Sequence, residues 1–237
     1  MEKINNYVCV DLETTGLNPK TDRIIEIGAV KVRNGVVTDT FETLVNPGRR
    51  LEERIVTLTG IRDDMLQEQP SIREVLPDFL SFAGEDILLG HSVLFDFAFL
   101  KKAVVNEKGT FERMGVDTLK IARYFLKELP HRSLPYLSEY YGISHTAHRA
   151  LADAAATVAL YDRLWQEFGD KEGAEGCFTP GPLHFQVKKD TPITPAQKER
   201  LYKLLARHKL NTEYDLDSLT RSEASRYTDR ILAKYGR

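Results

Sequence analysis

Residues 8–16 read Val-Cys-Val-Asp-Leu-Glu-Thr-Thr-Gly, and Asp11 and Glu13 are the first side chains able to do chemistry. In an extended strand, positions i and i+2 point to one face about 6.5 Å apart, so two carboxylates there can converge on one ion. Acids packed together raise each other's pKa unless a cation neutralises them. A bare D-x-E is more often a solvated pair at a strand end. Here Thr14, Thr15 and Gly16 follow, adding hydroxyls, backbone donors and a flexible turn where a phosphate can approach closely. Asp96, in LLGHSVLFD, and Asp153, in HRALADA, lie in matching contexts. Four carboxylates at one sheet edge call for hard divalent cations, which prefer oxygen ligands. That is the arrangement of two-metal phosphodiester chemistry, where ions about 3.5–4 Å apart stabilise the attacking and leaving oxygens.

The elements that must carry these acids follow from periodicity. Residues 7–12 predict a strand, and 24–33 with 36–45 predict two more, joined at Asn34-Gly35, a two-residue hairpin turn. Ser71-Ile72-Arg73-Glu74 predicts a capping box that opens a helix, with Pro77 forcing a kink or a late start. A short buried strand at 87–90 precedes a helix at 95–105. Val116 ends another strand, Asp117 caps a helix at 118–126, and Ser133 caps one at 134–141. Residues 149–168 form an alanine-rich helix carrying Leu151, Val158, Leu160 and Leu164. This order predicts an α/β mixed sheet with one antiparallel hairpin, flanked by helices.

Composition sets the limits. The chain has 237 residues, enough for one good core and a small second one, and no apolar run long enough to span a bilayer. The N-terminus lacks the basic-then-apolar order of a secretory signal. Two cysteines, Cys9 and Cys177, exclude a disulfide framework and a four-cysteine zinc site, and Cys9 reads as a small buried hydrophobe. A cytoplasmic protein is expected. The net charge is −2, yet residues 188–237 hold twelve Lys or Arg against seven Asp or Glu, leaving an acidic body and a basic tail.

In chain order, D-x-E-T-T-G at 11–16, H-x-x-x-F-D at 91–96 and H-x-x-x-x-D at 148–153 resemble the three motifs of the DEDDh (DnaQ-like) 3′–5′ exonucleases. That family holds the epsilon proofreading subunits of bacterial DNA polymerase III and the exonuclease domains of Gram-positive replicative polymerases. The resemblance covers about residues 5–168 and includes LVNPGRRLEERIVTLTGI. It implies an RNase H-like fold and two divalent ions, Mg²⁺ or Mn²⁺. Asp11, Glu13 and Asp153 would be direct metal ligands, and Asp96 would complete the site, partly through water. His148 would be the general base, a role that suits an imidazole on a loop before a helix. Thr14, Thr15, Leu58, Thr59, His91 and Phe95 would bind the terminal nucleotide.

Spacing alone cannot choose the base, because His91 and Asp96 repeat the separation of His148 and Asp153. His91 follows a buried strand and is expected to be packed and hydrogen-bonded, His145 to be solvated. Glu26, an acid inside the apolar IIEIGAV, is either a further ligand or a structural acid, and the structural role is expected. Ser92 departs from the asparagine common in the family after that histidine, which leaves substrate preference open.

The expected activity is a metal-dependent 3′–5′ exonuclease on single-stranded or frayed DNA, releasing nucleoside monophosphates. The alternatives are an exoribonuclease on short or structured RNA and a non-catalytic nucleic-acid-binding polymerase accessory subunit. The expected organisation is an exonuclease domain at 1–168, a glycine-rich linker at 169–190 with a possible short strand, and a small helical module at 191–237. The module either binds nucleic acid through Lys198, Lys203, Arg207, Arg221, Arg226 and Arg230, docks a polymerase or another DNA-processing protein, or packs on the body. No polymerase or helicase segment is visible, so a free-standing exonuclease domain is expected.

Overall fold

The computed structural model describes residues 2–144, 147–212 and 216–236, without the side chain of Ser218; His145 lies outside them. Among the described residues six strands form one sheet: β1 (Tyr7–Thr14), β2 (Ile24–Arg33), β3 (Val36–Leu44), β4 (Leu88–Gly90), β5 (Met114–Asp117) and β6 (Gly181–Pro182). Their order is β3-β2-β1-β4-β5-β6, with β2, β3 and β6 antiparallel to their neighbours and β1, β4 and β5 parallel. Asn34 and Gly35 both have positive φ, which the hairpin turn between β2 and β3 requires.

The period of two along β1 divides the core. Tyr7 and Cys9 pack with α5 (Thr118–Phe125), α6 (Leu134–Tyr140), α7 (Ala150–Phe168) and α8 (Ala174–Phe178), whereas Val8, Val10 and Leu12 pack with α3 (Ile72–Ala83) and α4 (Val93–Asn106). Asp11 and Glu13 continue the parity of Tyr7 and Cys9 beyond the apolar part of the strand, so they fall on the α7 face. Leu160 and Leu164 on α7 are fully buried, and truncating either to alanine would cost about 2–5 kcal/mol.

Several elements depart from sequence expectation. β1 runs two residues past Leu12, because β2 pairs it as far as Thr14, with a register shift after Glu13. α3 starts directly after Ser71, whose capping box with Glu74 is formed, so Pro77 lies inside the helix and delays nothing. The glycine-rich stretch is not a free joint throughout: α8 sends Ala174, Cys177 and Phe178 into the main core. The short strand of that linker is confined to two residues, Gly181–Pro182. Two short helices, α1 (Glu53–Thr59) and α2 (Asp63–Leu66), were not expected; few apolar anchors mark them, chiefly Ile55, Ile61 and Leu66, which pack on Ile25.

After the sheet come α9 (Pro195–Arg207) and α10 (Arg221–Tyr235), opened by capping boxes of Thr194 with Gln197 and of Thr220 with Glu223. They share a separate small core of Leu201, Leu205, Leu216, Leu219, Ala224, Tyr227 and Ile231. The pair rests on the body through ion pairs. Glu223 accepts from Arg23 at 2.8 Å and from Arg49, and Arg226 pairs with Asp22 at 2.7 Å. Among the described residues no helix is long and apolar enough to cross a membrane.

Candidate active site

β1 brings Asp11 and Glu13 to the C-terminal end of the central strand, where open α/β sheets place their ligands. α7 crosses that face and presents Asp153 from its first turn. Ligand atoms of Asp11, Glu13 and Asp153 lie within 4.8 Å of one another, close enough to share one cation. All three offer only carboxylate oxygens, the donor set that hard divalent ions prefer, so these residues fit Mg²⁺ or Mn²⁺.

Asp96 is buried in the first turn of α4 and borders the same cleft, but it is not in that trio. Its Oδ1 accepts from the Leu12 backbone N–H at 3.0 Å, which commits one oxygen to β1. The cleft measures about 320 Å³ and is walled by Asp11, Glu13, Asp96, Asp153 and His148, with Leu17, Phe95 and Leu134 as its apolar side.

The electrostatics are those of acids facing acids. Burial, then the charges of Asp96, Asp153 and Glu13, push the Asp11 carboxyl well above the usual range. Burial does the same to Asp96, against the backbone donors that pull it down. Glu13 is raised to about 7 by burial and by Asp153 and Glu26, with Arg149 opposing. A cation in the cleft would reverse these effects.

The two histidines are separated by their partners. His91 Nε2 donates to the Arg132 carbonyl at 2.8 Å, and its Nδ1 pairs with the Thr118 hydroxyl at 3.0 Å. Burial lowers its pKa, so it is a packed, neutral wall residue. His148 lines the cleft directly before α7, with a left-handed φ of 65°, uncommon for a residue with a Cβ.

Of the nucleotide-holding residues expected from sequence, Phe95 and His91 line the cleft. Thr14 and Thr15 are buried and brace the turn: Thr14 Oγ1 donates to the Gly16 carbonyl, and Thr15 Oγ1 accepts from the Arg23 N–H. Thr59 is buried in α1, where its hydroxyl bonds the Ile55 carbonyl, while Leu58 beside it is half exposed. None of these four is on the cleft wall. Leu17, 84% exposed, Leu134 and Pro135 are on it, and no motif marks them beyond an apolar residue left in water after Gly16. Ser92, also on the wall, has φ 79°, and its N–H is held by Asp117 Oδ1 at 2.9 Å. Asparagine tolerates that backbone better than serine, so one demand at this position is conformational.

Glu26 is fully buried on β2, directly across from Glu13, and binds Arg149 and the Ala150 N–H rather than joining the acid trio.

Comparison with known proteins agrees with this geometry. The exonuclease family model RNase_T matches residues 8–161. The epsilon subunit of DNA polymerase III from Aquifex aeolicus is 40% identical over 70% of this chain and 84% of its own length. The PolC-type DNA polymerase III of Clostridium perfringens is 40% identical over 66% of this chain, and that of Bacillus subtilis 32% over 95%. The chain spans only 11% and 17% of those two polymerases. Among solved structures, Exonuclease X in complex with 5′-overhanging duplex DNA covers 73% of this chain and 97% of its own, with a TM-score of 0.57 and 24% identity. The E. coli ExoI–ssDNA complex in its zinc-bound form covers 70% of this chain and 41% of its own, with a TM-score of 0.59 and 18% identity; these two likenesses speak to the RNase H-like fold. With the family model spanning most of the body and the epsilon subunit aligned over most of its own length, the chain belongs to the exonuclease family, the DnaQ-like 3′–5′ exonucleases.

Proposed function

We propose that the protein removes nucleotides one at a time from 3′ ends of DNA, single-stranded or frayed, releasing nucleoside monophosphates. The observation that carries this is the trio of Asp11, Glu13 and Asp153 within 4.8 Å, in a cleft that His148 also lines.

Two divalent ions bound by these carboxylates would supply Lewis acidity, an activated water and stabilisation of both oxygens in an in-line displacement. The chain's own residues do the rest. Asp11, Glu13 and Asp153 would hold the ions, and Asp96, pinned to Leu12, would add negative charge beside them. His148 accepts the proton of the attacking water at an imidazole nitrogen. The bond from phosphorus to the penultimate O3′ breaks, leaving a new 3′-hydroxyl and a 5′-monophosphate. Phe95, Leu17 and Leu134 offer apolar surface to the terminal bases, with His91 packed behind. Thr14 and Thr15 keep the adjoining turn in shape from within. The epsilon and PolC-type relatives support a task beside a replicative polymerase, of which proofreading is one.

The test uses a 5′-labelled single-stranded DNA 20-mer and its RNA counterpart, with Mg²⁺, Mn²⁺ or EDTA and with Asp11→Ala alongside. A metal-dependent ladder shortening from the 3′ end, absent in the variant, is the expected result. Preference for the RNA would move the substrate class to RNA. Binding without digestion in either metal would leave an accessory nucleic-acid-binding subunit.

A further inference from the structure

The loop-to-helix junction that presents both His148 and Asp153 is gripped from one place. Glu26 Oε1 accepts from Arg149 Nε at 3.1 Å and Nη2 at 2.9 Å, and Oε2 accepts from the Ala150 N–H at 3.0 Å. Ala150 is the first residue of α7, whose N-cap, Arg149, makes no side-chain cap bond. A glutamate 124 residues away therefore satisfies a helix N-terminal donor. The same strand makes room for the helix. A Cβ added to Gly28 would lie 2.1 Å from the Ala150 carbonyl carbon and the Leu151 nitrogen, so α7 rests on bare β2 backbone. Gly28 and Glu26 stand across from Asp11 and Glu13 in register.

Both functional groups at this junction feel this grip. His148 immediately precedes the two clamped residues, and its φ of 65° is a conformation that persists only where neighbours over-determine it. The Arg149 N–H donates to Asp153 Oδ2 at 3.1 Å, so Arg149 also orients the third carboxylate. Arg149 reaches outward to Glu42 at 3.1 Å as well, which leaves Glu26 as its fully buried partner.

We infer that Glu26 is a positioning residue of this site: through Arg149 and Ala150 it sets the placement of His148 and Asp153 relative to the acids of β1. The inference deepens the hydrolytic reading above and rests on it for its kinetic half. Outer-shell partners of this kind typically change activity or metal affinity about 10–100-fold when removed.

The experiment compares wild type with Glu26→Gln, His148→Gln and the double variant. Mn²⁺ binding is read on the pure protein by electron paramagnetic resonance without substrate, and kcat and KM are read at saturating Mn²⁺. Glu26→Gln is expected to weaken Mn²⁺ binding about tenfold and to lower kcat about 10–100-fold, with KM for the 3′ end little changed. Added to His148→Gln it should cost kcat less than it does alone, because the share that runs through His148 is already gone while the share through Asp153 remains. Arg149→Lys, at a half-exposed side chain, repeats the test if Glu26→Gln does not fold; a smaller drop of the same kind is expected. Wild-type kcat and Mn²⁺ affinity in a folded Glu26 or Arg149 variant would overturn the inference, as would a full additional kcat loss in the double variant. If the wild type hydrolyses nothing, the hydrolytic reading fails by itself, and the Mn²⁺ arm still decides whether Glu26 places Asp153.

Discussion

Buried carboxylates are handled in opposite ways at two places in this molecule. Where α10 meets the body, burial alone would raise the Glu223 carboxyl, but the charges of Arg23 and Arg49 outweigh it and hold it below the usual range. In the cleft, the charges acting on Asp11 are Asp96, Asp153, Glu13 and Glu26, all of one sign. Arg149, whose charge opposes the shift of Glu13, is bound to Glu26 and Glu42. One site is neutralised from within the chain and so is structural. The other depends on a cation from solution, and that dependence makes it a place for metal chemistry.

The sharpest way to break this contrast is Asp11→Asn. The loss of a ligand should lower exonuclease activity by at least about 10³-fold, since metal-borne charge stabilisation is worth several kcal/mol. The metal-free variant should nevertheless be more stable than wild type, because one member of a self-repelling group is gone. A higher melting temperature is the expected direction, because burial and like charges oppose the ionised Asp11 carboxyl. Calorimetry in EDTA at pH 8 checks it, and a lower melting temperature than wild type would mean that the acids are not in mutual repulsion.

Glu223→Ala should act in the opposite direction, with no gain anywhere. Removing one partner of a buried ion pair costs about 3–5 kcal/mol, and here the α10 capping bond to the Thr220 N–H goes too. Because α9 and α10 have their own core, the loss should be local. Amide exchange should accelerate in α10 while β1 and α7 keep their protection. Uniform acceleration over the whole chain would argue that 191–237 is not a unit separate from the body.

How much of this contrast can be read from sequence differs between its halves. Asp11 and Glu13 are legible because strand parity is local: two acids at i and i+2 share a face whatever lies elsewhere. The capping box of Ser71 with Glu74 is legible for the same reason. The repeated H-x4-D spacing is ambiguous, and the commitment of both His91 ring nitrogens to Arg132 and Thr118 is a long-range pairing that it does not carry. The partners of Glu26 lie more than 120 residues away, and those of Glu223 about 174 and 200. No periodicity carries such pairings. The same holds for Leu134 and Pro135, whose place on the cleft wall depends on how α6 packs.

Titration sharpens the comparison further. Glu13 moves from an ordinary 4.5 to about 7 in the folded, metal-free protein. The native state then holds a proton that the unfolded chain has released, so stability should fall as pH rises from about 4.5 to about 7. Each pH unit across that window is worth about 1.4 kcal/mol, so the change attributable to Glu13 is on the order of 1–3 kcal/mol. Chemical denaturation across the same window in EDTA reads the slope. Saturating Mg²⁺ should abolish or reverse it, and an unchanged slope with Mg²⁺ would separate Glu13 from the metal site. Glu223 has the opposite sign: its contribution is present above the unfolded pKa and is lost as pH falls through its depressed folded value.

The smallest expected effect separates the junction's own contacts. Arg230 reaches Glu52 at 3.3 Å with both side chains 40% exposed, whereas the Arg49 and Glu223 side chains are 9% and 6% exposed. Exposed pairs are worth about 0–1 kcal/mol and are screened by salt. Arg230→Ala should therefore cost no more than about 1 kcal/mol of α10 protection at about 0.1 M salt. The cost should vanish near 1 M, where the screening length has shrunk from about 10 to about 3 Å. The loss caused by Glu223→Ala should largely survive that change, because its partners are shielded from solvent ions. Equal salt sensitivity of the two variants would mean that the junction is held by general surface charge, and the contrast with the cleft would then be one of degree, since neither site would own its counter-charge.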